Sequence, residues 1–130
     1  MVIHLRVGEV LESSKYSVDR HLKRQLKYHN PSKSEYVKPL SYYKQIIDKN
    51  KNLKSVTLVA GGCKASKFVK SKDYISKIKN FFEKHNYKVN IRFGNPPDDD
   101  FVYMCYATHF VQIGGGFSLF IKKLNGMIVT

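Results

Sequence analysis

Short β-branched runs alternate with helical patterns along this chain, and that alternation constrains the fold more than any single residue does. Val2 to Val7, an apolar run broken by His4 and Arg6, Val89 to Phe93 and His109 to Ile113 read as strands, and Ser55 to Ala60 reads as a buried parallel strand. Between them the period lengthens. Leu40, Tyr43, Ile46 and Ile47 share one face of a helix that begins at Pro39-Leu40-Ser41 and stops near Asn50, with Lys44 and Lys49 opposite. Ile75, Ile78 and Phe82 recur at helical spacing after Ser71, which can cap that helix. Gly94-Asn95-Pro96-Pro97 halts the third strand, and Asp98, Asp99 and Asp100 open a helix through Phe101, Met104 and Ala107. The final helix, carrying Leu119, Phe120, Ile121 and Leu124, is expected to end at Asn125-Gly126, leaving Met127 to Val129 as a fifth strand.

This order predicts an α/β fold: a three-layer, Rossmann-like domain whose parallel sheet has about five strands, covered on both faces by right-handed crossovers. A length of 130 residues fits one domain with one core. Residues 9–37 interrupt the pattern as a basic insertion, with Leu22 and Leu26 at helical spacing and a stop at Asn30-Pro31. Such a segment is expected to be a lid over a site or a solvated loop.

A formal charge of +13 and a pI near 9.8 predict attraction to polyanions, including nucleic acid, acidic glycans and nucleotide phosphates. Much of the excess is lysine between Lys15 and Lys88, which also fits a solvated helix surface. Apolar stretches fall far short of the roughly 20 residues that span a bilayer, so no membrane span is expected. Met1 leads directly into a strand and no signal peptide is visible, so the expected setting is the cytoplasm, or a place within a larger protein. Cys63 and Cys105 lie in separate elements and read as free thiols. No metal site is expected, because the five histidines and two cysteines show no paired ligand spacing.

The chemistry-bearing residues cluster at strand ends. Gly114, Gly115 and Gly116 precede Phe117 and Ser118 at a helix start, where backbone N–H groups and the helix dipole can seat a phosphate. The same glycines also suit tight strand-to-helix packing. His4 and Arg6 sit two apart on one face of the first strand, followed by Gly8. Arginine offers phosphate a planar fork of donors, and a carboxylate such as Asp100 can accept two hydrogen bonds from the N1 and 2-amino groups of guanine. Ligands of parallel sheets bind at the carboxyl ends of the strands, where strand order reverses.

In this order the residues resemble the donor-binding half of the fucosyltransferase superfamily that uses GDP-fucose, inverting enzymes of GT-B architecture. His4-Leu5-Arg6-Val7-Gly8-Glu9 is similar to the family's H-x-R-x-G-D strand end, and Tyr42-Tyr43 resembles a tyrosine pair of the α1,2-type members. Asp100 to His109 is similar to D-L-x-L-M-x-x-C-K-H, and Gly114 to Phe120 stands where the family has N-S-S-F-S-W-W, with Phe117 and Ser118 retained. The sequence departs from the pattern at Glu9, at Val7 and at the glycines that replace family hydroxyls.

The resemblance implies one lobe of a GT-B transferase, binding a nucleotide sugar, GDP-fucose by preference, with no metal cofactor. It implies that Arg6 contacts the donor diphosphate and offsets charge as GDP leaves, making it the catalytic residue. His4 and Asp100 would lie near the guanine, with Gly8 at the site edge and Gly114, Gly115, Gly116, Phe117 and Ser118 around the phosphates. Transfer to a glycan or protein acceptor would need a second lobe. The alternative reading is a basic module binding nucleic acid or another polyanion, or a non-catalytic assembly domain.

Overall fold

The computed structural model describes residues 1–23, 37–61, 68–111, 113 and 115–129. Its elements, in chain order, are β1 (Val2–Leu5), α1 (Glu9–Glu12), α2 (Val18–Lys23), α3 (Leu40–Lys49), β2 (Ser55–Ala60), α4 (Val69–Lys84), β3 (Lys88–Phe93), α5 (Pro97–Cys105), β4 (Phe110–Val111) and α6 (Gly115–Ile128). The strands form one sheet in the order β3-β2-β1-β4, and every neighbouring pair is parallel.

That order fixes where the helices go. The chain leaves β1 toward β2 and β3 on one side, then returns past β1 to β4 on the other. Right-handed crossovers running in opposite directions across a sheet must cover opposite faces. The apolar packing follows this rule. Ile3, Leu5, Val56, Leu58 and Ala60 point into one core, filled by Leu11, Tyr43, Ile78 and Phe82 from α1, α3 and α4. Val2 and Val59, of opposite parity, point into a second core with Met104, Cys105 and Ile121 from α5 and α6. In the larger core the Phe82 ring meets Tyr43, Phe81 and Tyr87 edge-on, an arrangement favoured by the ring quadrupoles. Buried Tyr43 and Tyr74 are tied through their hydroxyls at 2.8 Å, and the Tyr74 hydroxyl donates to the Lys38 carbonyl. The resemblance singled out Tyr42 and Tyr43, and both lie in or against this core.

Several expectations are corrected. The sheet has four strands among the described residues, not five: Met127 and Ile128 belong to α6, and the Val129 N–H still donates to the Asn125 carbonyl at 2.9 Å. Asn125-Gly126 does not end the helix, because Asn125 faces inward with Ser118 and Ile121 at helical spacing. Its Nδ2 caps the end of α5, donating to the carbonyls of Cys105 and Ala107 at 2.9 and 2.7 Å. Residues 9–23 of the basic insertion are folded rather than fully solvated. They form α1 and α2, whose Leu11, Val18 and Leu22 are buried in the larger core. Leu26 and the Asn30-Pro31 stop lie outside the described residues.

Ser71 is not the cap of α4, which begins two residues earlier. The Glu12 carboxylate reaches over from α1 instead, accepting the N–H groups of Lys70 at 3.2 Å and Ser71 at 2.6 Å. The Ser71 hydroxyl donates to Glu12 Oε2 and accepts the Gly8 N–H, each at 2.9 Å. One carboxylate thus satisfies the exposed donors at the start of α4 and opposes the positive end of its dipole.

Candidate functional site

Strand order reverses between β1 and β4, and in open parallel sheets ligands bind at the carboxyl edge of such a switch point. Three sequence-predicted residues approach one another there. His4 ends up buried, 8 % exposed, on the α5–α6 side of β1. Its ring meets Phe117 of α6 edge-on at 5.6 Å. Burial chiefly, and the Arg6 cation second, hold the imidazole down at about 4, while Asp100 pulls the other way. The ring is therefore neutral near neutral pH, with one donor and one acceptor nitrogen.

Arg6 lies just beyond β1 and is half-buried. Asp100 closes the first turn of α5 with Asp98 and Asp99, but only Asp100 turns inward, 4 % exposed. Its Oδ1 accepts from Arg92 Nε at 3.0 Å. Its Oδ2 is buried with no hydrogen-bond partner among the described residues, an acceptor that interiors seldom leave unused.

Gly115, Gly116 and Phe117 form the first turn of α6, the position where N–H groups lack intrahelical partners. Phe117 is 44 % exposed and leans on Phe101, their ring centres 6.0 Å apart. Ser118 is fully buried, and its Oγ accepts the Ile113 N–H at 3.3 Å, so its hydroxyl serves the entry to α6. Gly114 lies outside the described residues. Gly8 has φ 83° and ψ −138°, a conformation nearly exclusive to glycine, and its carbonyl accepts the Leu11 and Glu12 N–H groups. Gly8 therefore sets the turn into α1, with its own N–H committed to Ser71.

Arg92 is the residue that sequence reasoning missed. It lies on β3 in register with Val59, which is itself in register with His4, so the three form one row across the sheet. Its guanidinium stacks over the Tyr103 ring at 4.2 Å while Nε holds Asp100. The available signal was an arginine inside a short strand, eight positions before the acid that it pairs with.

Two described clefts lie away from this edge. One, of about 520 Å³, sits near the amino ends of β1 and β2, with Thr57, Tyr103, Thr108 and His109 among its walls. The other, of about 250 Å³, lies among α2, α3 and α4 beside Asp19, Lys77 and Lys84. Neither contains Arg6 or Asp100, and we place the candidate site by converging charge and strand order instead. Among the described residues, no group of three His, Cys, Asp or Glu is placed to hold a metal ion, and no helix is long and apolar enough to cross a membrane. Cys105 is a free, buried thiol; Cys63 lies outside the described residues.

No protein-family model, curated protein or solved structure matches this chain.

Proposed function

We propose that this domain binds a nucleotide sugar at the carboxyl edge between β1 and β4, as the Rossmann-like donor lobe of a glycosyltransferase of GT-B type. The observation that carries the reading is the surroundings of His4: one buried imidazole in ring contact with the first turn of α6 and within the electrostatic reach of both Arg6 and Asp100. A cation, a helix start and a buried acceptor at a topological switch point are what a nucleoside diphosphate requires.

The roles follow from the chemistry of each group. Arg6 offers guanidinium donors to the diphosphate, and the first-turn N–H groups of α6 offer backbone donors. Asp100 offers an acceptor to the base, which favours guanine, whose N1–H and 2-amino group are adjacent donors. GDP-fucose is the donor that the sequence resemblance favours. In transfer, an acceptor hydroxyl on a glycan or protein, presented by a second lobe, gives its proton to a base of that lobe as its oxygen bonds to the anomeric carbon and the bond from that carbon to GDP breaks. Arg6 stabilises the charge that grows on the departing diphosphate.

Thermal denaturation with GDP, UDP and ADP tests the binding step. At a hundredfold excess over Kd a ligand specific to the folded state adds about 2.7 kcal/mol. GDP is expected to raise the Tm more than UDP or ADP, and Arg6→Ala to remove most of that increment. No response to GDP, with Arg6→Ala behaving like the wild type, would refute the reading. Binding to RNA or heparin that falls steeply with salt and survives Arg6→Ala would favour the polyanion module instead.

A further inference from the structure

We propose that Arg92 is a positioning residue for base recognition, fixing the Asp100 carboxylate so that Oδ2 is the oxygen left to accept from the nucleobase. The inference rests on the nucleotide reading above, and it concerns a residue outside the motifs that suggested that reading.

The geometry is a chain of anchors across the α5 face of the sheet. The Tyr103 hydroxyl donates to Thr57 Oγ1 on β2 at 3.2 Å, which fixes the ring. The Arg92 guanidinium lies over that ring, 4.2 Å from its centre, so cation–π attraction holds it as well as its strand does. Nε then donates to Asp100 Oδ1 at 3.0 Å. The terminal torsion of aspartate is soft, and a bond to one oxygen from a held guanidinium sets it.

The contact recorded is to a single oxygen. A fork-to-fork pair would engage both carboxylate oxygens, whereas here Oδ2 is left without a partner inside a residue only 4 % exposed. An ion pair whose arginine is 29 % exposed, and whose acid keeps unused acceptor capacity, contributes little to stability. Its arrangement does suit reading a donor on a ligand, because removing a ligand group that it pairs with leaves a buried acceptor unsatisfied. The 2-amino group of guanine is such a donor.

The test compares GDP with inosine diphosphate, which lacks only that amino group, by calorimetric titration of the full chain. The wild type is expected to prefer GDP by about tenfold, the effect of one well-made hydrogen bond to a charged acceptor. Arg92→Met is expected to bring the GDP-to-inosine ratio to about one while affinity for inosine diphosphate changes little. Far-UV dichroism and ligand-free melting establish that the variant folds. Should it fail to fold, Tyr103→Leu and Tyr103→Phe carry the test: loss of the ring is expected to lower the ratio, and loss of the hydroxyl alone to change it less. Three results would overturn the inference while leaving the nucleotide reading intact: a wild type that binds both nucleotides equally, an Arg92→Met that keeps the wild-type ratio, or one that weakens both nucleotides alike. A wild type that binds no GDP would refute the nucleotide reading, and this inference with it.

Discussion

Replacing His4 by leucine should make the protein less sensitive to acid, by an amount that the surroundings of His4 set. An ordinary histidine titrates near 6.5, and burial with the Arg6 cation brings His4 to about 4. Its pKa is depressed by folding, so between these values the unfolded chain binds the proton and the native protein does not. Stability from this residue is therefore complete above the unfolded pKa and is lost as pH falls toward about 4. Linkage between about pH 7.5 and about pH 4.5 then costs the wild type on the order of 2–3 kcal/mol through this one ring. That is a large fraction of the roughly 5–15 kcal/mol that stabilises a domain.

His4→Leu has no titrating group and keeps an apolar side chain beside Val59 and Phe117, so it should escape this loss. Urea denaturation of both proteins at the two pH values measures it, and the comparison cancels the shared groups that lie far from His4, the other histidines included. The stability of His4→Leu relative to the wild type should rise by roughly 2–3 kcal/mol on acidification. An unchanged difference would refute the claim that His4 is held neutral in the folded protein.

Other substitutions test the framework that positions the site. Glu12→Ala strips the cap from α4 and should cost about 1.5–3 kcal/mol in chemical denaturation, because charge-assisted bonds to two backbone donors are lost. Gly8→Ala forces a side chain onto φ 83°, and a loss of about 1–3 kcal/mol is expected by the same measurement. Phe82→Ala opens the larger core where four aromatic rings meet, and should cost about 3–5 kcal/mol.

The sequence carried the sheet well where one signal dominated. Ser55 to Ala60 is a continuous apolar run closed by glycine, and β2 has those bounds. Val89 to Phe93 is bounded by Gly94 and the prolines, and β3 differs from it by one residue. The misreadings share a cause, which is tertiary contact between distant segments. Asn125-Gly126 reads locally as a helix stop, yet Asn125 is drawn inward to the carbonyls of α5 and the helix runs on. Ser71 reads as a cap, but the true cap is Glu12, fifty-nine positions away along the chain.

The site was legible in part for the same reason. His4 and Arg6 stood out by residue type and strand-end position, Asp100 by its helix start and Phe117 through the family resemblance, and strand order brings their elements to one edge. Ser118 and Gly8 have roles within the fold that spacing alone does not reveal. Arg92 went unseen because it becomes informative only when β3 is laid beside β2 and β1.

A titration of the isotopically labelled protein with GDP, followed by amide chemical shifts, tests the central claim most directly. The account predicts saturable shifts confined to the ends of β1 and β4, the first turn of α6 and the start of α5, surviving at moderate salt. Shifts spread over the lysine-rich surfaces of α3 and α4 and erased by salt, or no shifts at all, would contradict it.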